Sequence, residues 1–177
     1  MSENDPDRDA RERLERWARE HGPAVRGYVL GFVRRWDVAE DVAQDVFRRA
    51  WQARDRYQET GEARAYLLKI ADRLVIDRFR KKRAERQLDD EGWRAAEPVA
   101  ATPDPDAGLV AADDRERLEA ALDQLSEPQR RVLLMRFYGQ LEFAQIAEQL
   151  GCPLNTALSH CHRGLKRLKT ILGVRAP

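Results

Sequence analysis

Apolar residues in the first half of the chain recur with the period of a helix. Val25, Tyr28, Val29, Phe32 and Val33 fall at i, i+3, i+4, i+7 and i+8, and Val42, Val46 and Ala50, with Phe47 and Trp51 alongside, repeat that spacing. Asp37 stands where an N-cap for the second of these helices is expected, with Glu40 three residues on as its capping-box partner. The turn signal Glu59-Thr60-Gly61-Glu62 predicts the start of a third helix, with Leu67, Ile70, Ala71, Leu74 and Val75 inward and a basic end from Arg78 to Arg86. From residue 87 to about 112 the periodicity fades while Pro98, Pro103, Pro105 and acids accumulate, the pattern of a linker. Trp93 within it fits a short docking helix or an exposed aromatic equally well.

Periodicity returns at Leu118, Ala121, Leu122 and Leu125. Ser126-Glu127-Pro128-Gln129 then supplies an N-cap and a first-turn proline for a helix through Val132, Leu133 and Phe137 that stops near Gly139. Phe143, Ile146, Ala147 and Leu150 predict a short helix ended by Gly151. Leu154, Leu158, Cys161, Leu165, Leu168 and Leu172 predict a last helix with one continuous apolar stripe, on which Leu158 is expected to be buried. The expected fold is all-α: two small helical bundles, residues 8–86 and 113–173, joined by an acidic linker over 87–112, the second bundle a helix-turn-helix.

Composition narrows the class further. At 177 residues, 42% apolar and 36% charged, the chain suits small helical domains with wet outer faces and excludes a large barrel. No apolar run approaches the ~18 residues that cross a bilayer, so no membrane insertion is expected. The acidic start Met1-Ser2-Glu3-Asn4-Asp5 lacks a signal-peptide layout, and two cysteines, Cys152 and Cys161, suit a reducing compartment. A cytoplasmic location is expected.

A net charge of +1 hides strong segregation. Residues 64–86 carry 9 basic and 3 acidic side chains, 87–127 carry 3 and 12, and 128–177 carry 8 and 2. Two basic blocks around an acidic one imply two surfaces for a polyanion and a connector it would repel.

Two short helices joined by Gly151-Cys152-Pro153 have the layout of a helix-turn-helix, whose second member enters the DNA major groove. Counted from Leu158 as the buried centre, Thr156, His160, Arg163 and Arg167 lie on the outward stripe. Asn155, Thr156 and Ser159 occupy the first turns, where base edges are approached, while Arg163, Lys166 and Arg167 are placed for phosphates. A solvated face on an ordinary helical hairpin is the plainer alternative. His160-Cys161-His162 suggests a metal, but adjacent helical residues diverge by about 100° and do not converge on one ion. Neither a nucleophile set nor a glycine-rich phosphate loop is present, so no catalysis and no cofactor are expected.

At this point a family pattern emerges. The run from Asp41-Val42-Ala43-Gln44 to Ala50-Trp51, with Ala65-Tyr66-Leu67-Leu68-Lys69-Ile70-Ala71 and Val75-Ile76-Asp77-Arg78-Phe79-Arg80, resembles the second conserved region of bacterial sigma factors of the extracytoplasmic-function (ECF) group. Leu125 to Arg130, and Ile146 to Gly151 on through Lys169, resemble the fourth region. The resemblance implies a subunit of RNA polymerase that acts at promoter DNA. It places Asp41, Gln44, Asp45, Phe47 and Trp51 on the polymerase core enzyme. It places Tyr66, Lys69, Arg73, Arg80 and Lys81, with the loop from Tyr57 to Arg64, at the opened −10 element. Asn155, Thr156, Ser159, His160, Arg163, Lys166 and Arg167 fall at the −35 element. It also implies an anti-sigma factor as a further partner, because family members are often held inactive by one.

Two departures stand out. Asp72-Arg73 replaces the usual Arg-Asn, and Asn155-Thr156-Ala157-Leu158-Ser159-His160 replaces Gly-Thr-Val-Lys-Ser-Arg, which removes two cations and predicts an unusual −35 sequence or weaker reliance on it. The rival readings are a stand-alone helix-turn-helix regulator, which would bind duplex DNA by itself, and an adaptor whose basic faces bind acidic partners.

Overall fold

The computed structural model describes residues 6–57, 61–88 and 112–173. Among them are seven helices: α1 (Pro6–Val33), α2 (Trp36–Gln52), α3 (Ala63–Leu88), α4 (Ala112–Asp123), α5 (Glu127–Phe137), α6 (Phe143–Leu150) and α7 (Leu154–Leu172). The described residues contain no strand.

α1, α2 and α3 pack on one another as the first bundle. Val25, Tyr28 and Val29 of α1, Ala39 and Val46 of α2, and Leu67, Leu68 and Ala71 of α3 are all withdrawn from solvent. The 3.6-residue period assigned Val25, Tyr28, Val29, Val46, Leu67 and Ala71 to the core, whereas Ala39 and Leu68 lay outside the positions it marked. α1 runs further toward the N-terminus than the apolar pattern suggested, and its early turns add Ala10 and Trp17 to the core. α2 begins one residue before Asp37, with Arg35 as its N-cap. The expected cap fails because Asp37 pairs with the Arg35 guanidinium, Nε to Oδ1 3.1 Å, a contact that also holds its carboxyl below the usual range.

In the second bundle α7 packs against α4, α5 and α6. Ser126 caps α5 in a capping box with Gln129, whose Oε1 accepts the Ser126 N–H at 3.2 Å. Gly151 closes α6 in the left-handed conformation, φ 63°, which any side chain would strain.

The final helix departs from expectation. Its buried face is Ala157, Cys161 and Gly164, whereas Leu154, Leu158 and Leu165 are exposed, Leu158 at 40%. Small residues let α5 approach closely: a Cβ on Gly164 would lie 2.9 Å from Leu133 Cδ1 and 3.4 Å from Gln129 Cβ. Close approach has therefore set the rotation of α7, overriding its leucines.

The two bundles also touch each other, α5 lying on α1. A Cβ on Gly31 would meet Leu134 Cδ2 at 2.5 Å, and one on Gly139 would meet Leu68 Cδ1 at 2.7 Å. Trp93 and residues 89–111 of the expected linker lie outside the described residues.

Candidate nucleic-acid interface

Three surfaces carry the residues singled out in the sequence. On α2, Asp41 and Gln44 are exposed, while Asp45, Phe47 and Trp51 are half-buried. The buried set Ala39, Val42, Ala43, Val46 and Ala50 turns these five outward from the core. Phe47, Trp51 and Arg48 line an open groove of about 500 Å³ with Arg11, Leu14 and Glu15 of α1. Arg54 lies 4.5 Å over the Trp51 ring, and Arg48 pairs with Asp45 at 2.9 Å. Half-covered aromatics rimmed by charge suit burial against a partner protein.

At the start of α3, Tyr66 packs on Tyr57 with ring centroids 4.6 Å apart, and Trp17 meets Tyr57 edge-on at 4.8 Å. Arg13 sits 5.8 Å from the Tyr57 ring. Burial pushes the Tyr66 hydroxyl pKa up, so Tyr66 stays a neutral hydrogen-bonding ring at ordinary pH. Beside the pair opens a pocket of about 180 Å³, with Lys69 and Glu62 on one wall and Gln145, Glu148 and Gln149 of α6 on the other. Arg73, Arg80 and Lys81 continue an exposed basic face along α3. Arg80 is engaged by Glu127 of α5 at 3.0 Å. Within the loop from Tyr57 to Arg64, residues 58–60 lie outside the described residues. Trp17 and Arg13, which back the tyrosine pair, escaped the sequence reading because they arrive from a distant turn of α1.

On α7 the stripe that faces away from Ala157, Cys161 and Gly164 carries Asn155, Ser159, Arg163 and Lys166, all exposed. Thr156 and His160 sit half-buried at the flank, and Arg167, though exposed, donates from Nε to the Gln124 carbonyl at 2.9 Å. The outward stripe thus lies about one residue away from the one counted from Leu158. His160 Nδ1 is buried without a hydrogen-bond partner among the described residues. Burial, then the charge of Arg163, lowers the His160 pKa and keeps the ring neutral.

Asp72, which departs from the family pattern, has a packing explanation. It is 5% exposed and accepts from Tyr28 Oη at 2.6 Å and Arg131 Nε at 2.9 Å, with Arg131 Nη2 on its second oxygen. Burial, reinforced by the Asp72 charge, raises the Tyr28 pKa well above 10 and keeps that hydroxyl a donor. Burial alone would lower the Arg131 pKa, but its hydrogen bonds to Asp72 outweigh this and raise it.

Comparison with known proteins decides the family. The sigma-70 region 2 model matches residues 17–85, and the sigma-70 region 4 model matches residues 115–168. An ECF RNA polymerase sigma factor SigK of Mycobacterium sp. (strain KMS) is 30% identical over 156 residues, covering 85% of this chain and 78% of the relative. The chain belongs to the ECF sigma factors. SigK of Mycobacterium ulcerans (strain Agy99) is 29% identical over 149 residues, 84% of this sigma factor and 79% of that one. Among solved structures, the sigma factor RpoE of Bartonella quintana, in complex with the anti-sigma factor NepR, superposes with a TM-score of 0.77 at 25% identity, covering 93% of this chain and 99% of that one. CnrH, solved with the cytosolic domain of CnrY, shares the fold at TM-score 0.69 and 20% identity, with 97% of each chain covered. In this sigma factor no described helix is long and apolar enough to cross a membrane.

Proposed function

We propose that this sigma factor directs the RNA polymerase core enzyme to specific promoters and helps open them for transcription initiation. The observation that carries this is the joint presence, in order, of both sigma regions on two helical bundles, each bearing its own basic face. The work is divided among residues 8–86 for polymerase binding and the −10 element, 87–112 as acidic connector, and 113–173 for the −35 element. Asp41, Gln44, Asp45, Phe47 and Trp51 form the polymerase surface. Tyr66 offers a ring and Lys69 a cation at a pocket where an unstacked base can lodge, and stacking of this kind contributes about 1–3 kcal/mol per base. Arg73, Arg80 and Lys81 neutralise neighbouring phosphates.

On α7, Asn155, Ser159, Arg163 and Lys166 meet the −35 duplex head-on, with Thr156, His160 and Arg167 beside them. The chain acts by binding, without catalytic residues or cofactor of its own, in the cytoplasm where the polymerase is. An anti-sigma factor is a further partner, as NepR is for the Bartonella sigma factor.

The test is run-off transcription with purified core enzyme over a randomised promoter library. The expected result is transcripts from a defined promoter subset that vanish when the chain is omitted. Specific duplex binding by the chain alone, with no binding to core enzyme, would favour a stand-alone regulator instead.

A further inference from the structure

The leucines that α7 leaves outside the core share one side of the helix. Leu154 is 47% exposed and Leu158 40%, and at i, i+4 they form a contiguous apolar patch on its first turns. Counted at about 100° per residue from the buried Ala157, Cys161 and Gly164, Leu154, Leu158 and Leu165 fall on one flank. Thr156, His160 and Arg167 fall on the other, with Asn155, Ser159 and Lys166 between the two.

The flanks are used differently within the chain. On the polar one, Arg167 is held by the Gln124 carbonyl just past α4, and Thr156 and His160 are half-buried. The leucine flank is open to solvent. A surface that meets Asn155 and Ser159 therefore meets Leu154 and Leu158 next.

Charge fixes the kind of partner. Residues 128–177 carry 8 basic and 2 acidic side chains, and Arg163 and Lys166 stand exposed further along α7. A polyanion is drawn to this face, yet phosphates gain nothing from a leucine. What suits a leucine in the major groove is the C5-methyl of thymine, the apolar group that the base edges display there.

We propose that Leu158, with Leu154 beside it, selects thymine in the −35 element by packing on its C5-methyl. This rests on the proposed reading of α7 as the −35 helix, and adds to it a base and the atoms that recognise it. Asn155 and Ser159 supply hydrogen bonds and the two leucines the apolar contact, so the element is read by both kinds of group. Leu165 lies two turns beyond Leu158, outside the N-terminal end of the helix that approaches base edges.

The experiment uses holoenzyme formed with the full chain. The −35 sequence is selected from a randomised duplex library with the −10 element held constant. Each thymine in it is then replaced by deoxyuridine, which removes the methyl and leaves every hydrogen-bonding group in place. Competition binding compares wild type, Leu158→Ala and Leu158→Lys. For wild type the expected loss is about fourfold at the thymine under Leu158, which is what burial of one methyl contributes. Leu158→Ala should bind the thymine and deoxyuridine duplexes alike. Leu158→Lys should also ignore the methyl, and should steepen the salt dependence by about 0.9 in log–log slope. The wild-type comparison needs no variant, so a folding defect in either one does not spare the proposal.

A selected element without thymine, wild type indifferent to deoxyuridine, or an undiminished methyl effect in Leu158→Ala would overturn the inference and leave −35 recognition by α7 intact. Leu158→Ala that loses core enzyme while keeping its methyl sensitivity would assign the leucines to a protein contact, and would equally overturn it. Holoenzyme with no preference among −35 duplexes would sink the −35 reading itself, and this inference with it.

Discussion

The two proposed DNA faces receive opposite treatment from the same fold. On α7 the outward residues Asn155, Ser159, Arg163 and Lys166 are open to solvent. At the start of α3, Tyr66 is half-buried, the Ala65 carbonyl is occupied, and α6 walls the pocket. The difference lies in what each face touches within the chain. The polar groups outward on α7 are content in water. The recess beside Tyr57 and Tyr66 is walled by polar side chains of α6, with Gln149 on the Ala65 carbonyl and Gln145 on Glu62. The leucines differ in parallel: Leu67 and Leu68 of α3 are buried, whereas Leu154, Leu158 and Leu165 of α7 are exposed and that helix is seated by Ala157 and Gly164.

The sharpest way to test this contrast is to delete leucines from each bundle. Leu67→Ala, at a fully buried site, should cost about 2–5 kcal/mol of stability in urea unfolding. The same truncation at exposed Leu158 should stay within roughly 0.5 kcal/mol, and equal losses would erase the distinction.

Gly164→Val should destabilise the second bundle by about 1–3 kcal/mol through overpacking against Leu133. Thermal unfolding of the full chain would register it, and a neutral result would mean α7 is not held by close approach. Trp51→Ala should weaken core-polymerase binding about tenfold or more, equivalent to roughly 1.4 kcal/mol, while the unfolding midpoint stays nearly constant. Binding unchanged in a pull-down titration would remove α2 from the polymerase surface.

Lys166→Ala should lower the slope of log affinity against log salt by about 0.9 for −35 duplex bound by holoenzyme, against a smaller change for the flanking Thr156→Val. The mildest effect is the titration of His160. Its pKa is lowered from 6.5 by burial and then by Arg163. Its contribution to stability is therefore complete above pH 6.5 and declines as the pH falls from there through the lowered value. A proton NMR titration of the His160 ring with a midpoint at or above 6.5 would contradict the buried placement.

What the sequence disclosed was local chemistry. Ser126, Pro128 and Gln129 announced the start of α5, and Gly151 the end of α6, because caps are decided within one turn. The 3.6-residue period located α2 and, on α3, the buried Leu67, Ala71 and Val75, but it also turned inward Ile70 and Leu74, which are half-buried, and passed over the buried Leu68 and Ile76. The same rule misdirected the reading of α7, where hydrophobic weight lay with leucines but burial went to an alanine, a cysteine and a glycine. Asp37 was displaced as a cap by a neighbour only two residues away, a competition no cap rule anticipates.

The links between bundles were beyond reach for a different reason. Asp72 finds Tyr28 at a separation of 44 residues and Arg131 at 59, and no periodicity encodes such pairings. The sequence could mark Asp72 only as out of pattern. Asp41, Gln44, Lys69 and Arg73, singled out as binding residues, lie exposed on their helices.

The Arg130 side chain carries one more implication. It satisfies the Gly31 carbonyl and reaches that of Phe32, groups that the last turn of α1 leaves without intrahelical donors. The end of one helix is thus finished by a residue borrowed from nearly 100 positions downstream. Without the Arg130 side chain, that turn must find water or fray. It adjoins Arg35 and Trp36, where α2 begins, so loss of this one side chain would be felt as loosening at the root of the helix proposed to hold the polymerase.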